Sequence, residues 1–304
     1  MENKQPLLSI CIPTYNRVEH ISSLLKFLYK EYEALSDENK KNCEILVRDN
    51  CSTDDTESCV TKYLLERNFA TYHRNDINVG ATNNFLLLSQ EARGEYVWWL
   101  GDDDELKVGI VKQILNSLLI YKPAMLFINH SGRAKKNTPI VYSSAVDEEK
   151  PDFYKDGRDA VADIISYGNV GKVLFMSAKV VKTDLLLEAC GNIKLPDGSL
   201  PLYVAFFAAS KGSVAIIKEP MIENIAGEIS WRDRMELIYY EQIPAKIHNL
   251  KMLGYTSRQI EIIKKSYFSS SVKKRVLRYK IEKILPPLKW IRRKICDVKK
   301  SIFS

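Results

Sequence analysis

The chain has 304 residues, 45% apolar and 27% charged, with a formal net charge of +7; that balance suits one large core or two modest ones and excludes a disordered chain. Six cysteines, Cys11, Cys43, Cys51, Cys59, Cys190 and Cys296, occur without a C-x-x-C pair, which argues against a zinc knuckle or a dithiol redox motif. Residues 246–304 carry 17 Lys and Arg against 3 Asp and Glu, leaving 28 against 35 in residues 1–245, so the basicity marks an appended interaction segment rather than a nucleic-acid-binding surface.

Leu7–Ile12 (LLSICI) is a β-branched apolar run closed by Pro13 and predicts a buried strand. It is too short for the core of a signal peptide, and no run approaches the ~20 apolar residues of a membrane span. A cytoplasmic location is therefore expected. After the loop PTYNR, residues 18–35 place Ile21, Leu24, Leu25, Leu28 and Tyr32 at helical spacing. Glu44–Arg48 is the next strand, and the Ser, Thr and Asp residues of 52–56 supply turn and cap chemistry for a helix to about Arg67.

A third strand is expected around Ala70–Arg74, followed by the Asn78-Val79-Gly80 turn and a helix over about Thr82–Arg93. Tyr96–Leu100 (YVWWL) is wholly apolar and ends at Gly101-Asp102-Asp103-Asp104. Further strands are expected at Met125–Asn129, Val173–Ser177 and Val214–Lys218. Strands alternating with helices imply an α/β fold with a mostly parallel, Rossmann-like sheet flanked by helices, which binds ligands at the carboxyl ends of its strands. No linker divides residues 1–230, which are taken as one domain with halves at about 1–107 and 108–230. From Asp233 the pattern turns helical and basic, so residues 231–304 are read as a helical C-terminal region.

Adjacent carboxylates at the end of a buried strand repel one another unless a cation or hydrogen-bond donors neutralise them. Mg²⁺ or Mn²⁺ prefers such oxygen ligands and leaves positions open for phosphate. Asp102, Asp103 and Asp104 are thus the candidate metal ligands; the bland alternative is a solvated acidic turn.

Four motifs now stand in order: SICIPTYNR, RDNCSTDDT, NVGATNN and GEYVWWLGDDDEL. Over about residues 7–107 the chain resembles the large family-2 glycosyltransferases of GT-A type, and its second half resembles O-antigen transferases of the abequosyltransferase-like kind. The resemblance implies that Pro13, Thr14, Tyr15 and Arg17 line a nucleotide pocket. It also implies that Asp49 contacts base or ribose, that Asn78 and Gly80 bring backbone close to the nucleotide, and that Asp102 and Asp103 contribute to nucleotide-sugar binding. Asn83 and Asn84 rank below these, as helix-face residues. Two departures from the family pattern are visible: Asn50-Cys51 replaces Asp-Gly, and Gly101 stands where the family often has Asp.

An inverting transfer requires a general base. The family's Glu-Asp pair falls at Leu200-Pro201 here, which leaves Asp197 as the nearest carboxylate and His130 as a weaker alternative. Trp231, Arg232 and Arg234 lie where transferases of this type have a mobile loop, and suit sugar stacking and diphosphate binding. Beyond Pro286-Pro287, apolar Leu288, Ile291, Ile295, Val298 and Ile302 alternate with Lys and Arg around Trp290, the pattern of an interfacial helix on an anionic membrane.

The expected function is metal-dependent transfer of a hexosyl or deoxyhexosyl group from a nucleoside-diphosphate sugar to a saccharide acceptor, polyprenyl-linked, in O-antigen or other surface-polysaccharide synthesis. The enzyme would lie peripherally on the inner face of the plasma membrane, with Mn²⁺ or Mg²⁺ as cofactor and no nucleic-acid partner. The competing readings are a nucleotidyltransferase, disfavoured because PTYNR lacks phosphate-loop glycines, and a non-catalytic membrane- or nucleic-acid-binding protein led by the tail.

Overall fold

The computed structural model describes residues 5–193, 197–225, 232–268 and 270–284. Its first half follows the chain order read above. β1 (Leu8–Thr14), β2 (Cys43–Asp49), β3 (Thr71–Arg74) and β4 (Tyr96–Trp99) alternate with α1 (Val18–Glu33), α2 (Asp37–Lys41), α3 (Thr56–Arg67) and α4 (Ala81–Glu91). β1 pairs in parallel with both β2 and β4, and β2 with β3.

The second half continues through β5 (Glu105–Leu106), α5 (Ile110–Tyr121), β6 (Met125–Arg133), β7 (Ile140–Tyr142), β8 (Phe153–Tyr154), α6 (Gly157–Tyr167) and α7 (Val170–Leu174). Then come β9 (Lys179–Lys182), α8 (Thr183–Gly191), α9 (Leu200–Lys211) and β10 (Val214–Ile225). The spatial order is β3-β2-β1-β4-β9-β6-β10-β5, with β7 on β6 and β8 on β10. β6 and β10 are parallel, whereas β9 lies antiparallel between β4 and β6.

Alternate residues of each central strand enter opposite cores. Cys11, Val97, Trp99 and Phe127 face one cluster, while Ile10, Ile12, Tyr96, Trp98, Leu126 and Ile128 face the other. Burial on both faces explains why YVWWL and LLSICI are unbroken apolar runs. Both tryptophans satisfy their indole N–H: Trp98 donates to the Ser177 carbonyl and Trp99 to Ser89 Oγ, each at 2.7 Å.

The strand expected at Val173–Ser177 is not there. Asn169 accepts from the Gly171 amide and opens α7 instead, and a 3₁₀ turn over Met176–Ala178 follows before β9 begins at Lys179. The Lys179 ammonium donates to the carbonyls of Val173 and Phe175 at 2.5 and 2.6 Å, satisfying backbone oxygens that no sheet partner takes up.

After β10 the chain forms a 3₁₀ turn Arg232–Arg234, α10 (Met235–Leu237), a π-type turn Ile238–Gln242, α11 (Ile243–His248), a 3₁₀ turn Asn249–Leu253, α12 (Ser257–Tyr267) and α13 (Ser270–Ile284). Ile243, Ile247, Leu250, Tyr255 and Ile263 enter the same core cluster as α6 and α9. Residues 288–304, on which the interfacial-helix reading falls, lie outside the described residues.

Candidate active site at the strand ends

Parallel pairing brings the carboxyl ends of β2, β1 and β4 side by side, with Thr14 directly opposite Asp49 and Cys11 opposite Trp99. The acidic turn after β4 therefore lies beside PTYNR after β1. Thr14 Oγ1 donates to Asp102 Oδ2 at 2.8 Å, and Arg17 Nη1 bridges Asp102 Oδ1 at 2.7 Å and Asp103 Oδ2 at 2.8 Å. Charge-assisted bonds of this kind hold like-charged carboxylates together.

The three aspartates, read from sequence as one ligand set, have different surroundings. The Asp102 side chain is only 5% exposed and accepts on both oxygens; burial raises its pKa against the pull of Arg17. Asp104 turns toward the protein, where Oδ2 accepts from the Gly101 amide at 3.2 Å and from the Ser177 hydroxyl. Desolvation, followed by the charge of Asp103, pushes its carboxyl up to about 8. The Asp103 side chain is 31% exposed and is the carboxylate best able to offer oxygen outward.

Gly101 permits this arrangement. A Cβ there would stand 2.7 Å from Asp104 Oδ2 and 3.1 Å from Asp103 Oδ1, so a side chain at 101 would displace both carboxylates.

The loop after β2 is organised by groups that spacing did not reveal. Asp49 is fully buried: Oδ1 accepts from the Ser52 amide and hydroxyl at 2.9 and 2.5 Å, and Oδ2 from Tyr72 at 2.9 Å. Its carboxylate shapes the loop from within. Asn50 is the hub: its amide donates to Asn78 Oδ1 at 2.8 Å, and its oxygen accepts from Asn75 and from the Val79 amide at 3.0 and 2.9 Å.

Asn78 Oδ1 also accepts from the Gly80 amide at 2.9 Å. Gly80 itself has φ +82° with nothing near its absent Cβ, the left-handed backbone that favours glycine. Asn83 donates to the Val79 carbonyl, and the buried Asn84 donates to that of Arg48 while accepting from Asn75. Tyr15 is 41% exposed beside the partly buried Pro13, which leaves its ring free for stacking.

The two candidate bases are enclosed. His130 is fully buried, with Nδ1 2.9 Å from the Tyr142 hydroxyl and Nε2 3.3 Å from the Lys172 carbonyl. Burial drives its pKa down to about 3, which suits a neutral core imidazole. Asp197, 7% exposed, accepts from the Ser199 amide and hydroxyl at 2.8 and 2.7 Å and from the Lys246 ammonium at 2.6 Å. It ties the start of α9 to α11. Arg234 closes the 3₁₀ turn that Arg232 opens, while Trp231 lies outside the described residues.

Among the described residues no group of three or more His, Cys, Asp or Glu side chains converges as a metal cage. The residues nonetheless fit an open site for a hard cation, since Mg²⁺ is commonly held by one or two carboxylates with substrate phosphates and waters completing the shell. Asp103 and Asp102 supply oxygen of that kind, and Arg17, which already spans both, would compete with such an ion for them.

Residues 9–183 match the family model described as Glycosyl transferase family 2. Abequosyltransferase RfbV of Salmonella typhimurium is 40% identical over 103 residues, covering 33% of this chain and 29% of that protein. The GalNAc(5)-diNAcBac-PP-undecaprenol beta-1,3-glucosyltransferase of Campylobacter jejuni is 33% identical over 119 residues, 36% of this chain and 34% of the other. Each of these matches thus spans about a third of the relative's length. S. aureus TarS 1–349 in complex with UDP-GlcNAc superposes with a TM-score of 0.62 at 20% identity, covering 84% of this chain and 70% of that one. The mannosyltransferase PcManGT of Pyrobaculum calidifontis, in complex with GDP-Man and Mn²⁺, gives 0.61 at 14% identity, with 96% and 80% covered. At such identities the two structures establish the shared fold.

Proposed function

Because the chain belongs to glycosyl transferase family 2, we propose that it transfers a hexosyl or deoxyhexosyl group from a nucleoside-diphosphate sugar to a saccharide acceptor in bacterial surface-polysaccharide synthesis. The observation that carries this reading is the convergence of Thr14, Arg17, Asp102 and Asp103 at the ends of β1 and β4. A site for a diphosphate needs a cation, hydrogen-bond donors and a rigid base, and these residues supply them on packed strands. The β1 and β2 loops receive the nucleoside, Tyr15 stacks on the base, and the Asn50–Asn78–Gly80 network fixes the loop that faces it.

In the transfer, the acceptor hydroxyl oxygen bonds to the anomeric carbon, the bond from that carbon to the phosphate oxygen breaks, and the nucleoside diphosphate leaves with the electron pair. When bound, Mn²⁺ or Mg²⁺ supplies charge stabilisation for the leaving diphosphate, with Asp103 and Asp102 as its ligands and Asp104 behind them. Arg17, which spans Asp102 and Asp103, would donate to the phosphate oxygens of the donor. The acceptor proton passes to a base, for which Asp197 is put forward once its contact with Lys246 is released. Arg232, Arg234 and Trp231 are assigned to the loop over the donor.

The acceptor is proposed to be polyprenyl-linked and to be met at the inner face of the plasma membrane. The undecaprenol named for the Campylobacter jejuni relative supports this, as does α13. There Leu277 and Ile281, four residues apart, are 62% and 42% exposed amid Lys273, Lys274 and Lys280. Among the described residues no helix is long and apolar enough to span a bilayer, so attachment would be interfacial.

The test is chromatographic: the protein is incubated with a panel of UDP-, GDP-, CDP- and dTDP-sugars and Mn²⁺, with undecaprenyl-diphosphate saccharides as acceptors. Release of one nucleoside diphosphate matched by a lengthened lipid-linked glycan supports the proposal. Release of inorganic pyrophosphate from a nucleoside triphosphate and sugar phosphate would instead mark a nucleotidyltransferase.

A further inference from the structure

Among the described residues one buried cation has neither a carboxylate nor a hydrogen-bond acceptor. Lys172 of α7 is 7% exposed, and its ammonium is buried without a hydrogen-bond partner among the described residues. Nearby Lys179 differs in this respect, since two carbonyls accept from it. Burial alone pulls the Lys172 ammonium down to about 8, with no carboxylate acting on it. An unpaired ammonium inside protein is costly, and here the face of the Tyr142 ring lies against it.

The surroundings point to a ligand. The Tyr142 hydroxyl is 2.9 Å from His130 Nδ1 and shares a hydrogen bond with the Asn224 side chain, and the Asp104 charge acts on it. Ser177, five residues after Lys172, donates to Asp104. The lysine thus lies five residues before a side chain that holds the acidic turn. Its cover is a short strand: β7 has three residues, with Ile140 and Val141 50% and 69% exposed, so Tyr142 moves with an edge strand that pairs only with β6 among the described strands, at the expense of its bond to His130.

We propose that Lys172 is an anion-recognising group that takes a phosphate oxygen of a substrate when Tyr142 moves aside. A lysine ammonium suits phosphate as a compact point charge. The inference rests on the transferase reading for its ligand class: the phosphate comes either from the leaving nucleoside diphosphate or from a lipid-linked acceptor.

The probe is pyrophosphate, titrated calorimetrically in EDTA into the full chain and into Lys172→Gln, with circular dichroism melting as the folding control. The proposal expects at least a tenfold weaker affinity in the variant at unchanged melting temperature; equal affinities would overturn it. Repeating the titration with Mn²⁺ and saturating nucleoside diphosphate separates the sources, because a difference that persists assigns Lys172 to the acceptor and one that vanishes assigns it to the leaving group.

Lysine acylation read by mass spectrometry covers the case in which the variant fails to fold. Lys172 should be at least tenfold more reactive in Tyr142→Ala than in the wild type and protected there by pyrophosphate; reactivity without protection would overturn the proposal. Loss of metal-dependent nucleotide binding would reject the transferase reading yet leave the Lys172 difference in pyrophosphate binding standing.

Discussion

Arg17 is where charge and geometry meet most closely in the site. It neutralises Asp102 and Asp103 together, so Arg17→Ala leaves a buried carboxylate with only Thr14 as partner. Removing one member of such a pair leaves a group unsatisfied at a cost of about 1–3 kcal/mol. Urea denaturation without metal should show a loss of about 2 kcal/mol, and Mn²⁺ should restore part of it in the variant by taking the vacated position; an unchanged midpoint would show that Arg17 is not needed there. His130 gives a second prediction, with its sign fixed by linkage. The unfolded imidazole takes a proton near pH 6.5 and the folded one not until about 3, so protonation favours unfolding as pH falls through that window. The wild type should lose about 1.4 kcal/mol per pH unit below 6.5 relative to His130→Gln, measured as the difference between their denaturation curves at pH 6.5 and 5. Parallel curves would contradict the buried neutral ring.

At the scale of elements, the two halves of the sheet are latched by a buried glutamate. Glu31, 6% exposed on α1, accepts from the amides of Gly109 and Val111 at 2.8 and 3.3 Å and so satisfies donors at the start of α5 that the helix cannot. Glu31→Ala should lower stability by about 1–2 kcal/mol in thermal denaturation, whereas the exposed Glu33→Ala should not. A further element-scale prediction concerns α13: Leu277→Asp with Ile281→Asp should abolish sedimentation with phosphatidylglycerol vesicles while nucleotide binding persists. Unchanged sedimentation would place membrane attachment elsewhere.

The elements also show what the sequence exposed and what it hid. Strands β1, β2 and β4 were legible because burial on both faces leaves uninterrupted apolar residues, and Asp102–Asp104 because a charged run follows one of them directly. β9 was not legible: four residues follow a helical turn whose apolar spacing also fits a strand. The loop network of Asn50, Asn75 and Tyr72 was hidden because amides and a phenol from two separate segments meet only when β2 and β3 pair. The enclosure of His130 and Asp197 depends on Tyr142 and Lys246, 12 and 49 residues away, which no local pattern encodes.

For the whole molecule, one continuous sheet carries both the half built from β1 to β4 and the half that holds α9 and β10, with the acidic turn at the junction. That placement makes the turn after β4 the point through which donor, metal and acceptor would all pass, and its integrity is the central claim. The most direct measurement is calorimetric titration of UDP, GDP, CDP and dTDP into the full chain with Mn²⁺, repeated in EDTA and with Asp103→Ala. One nucleotide should bind in the presence of metal, with affinity reduced at least tenfold by chelation and by the substitution. Equal binding in all three conditions, or none by a folded protein, would contradict it.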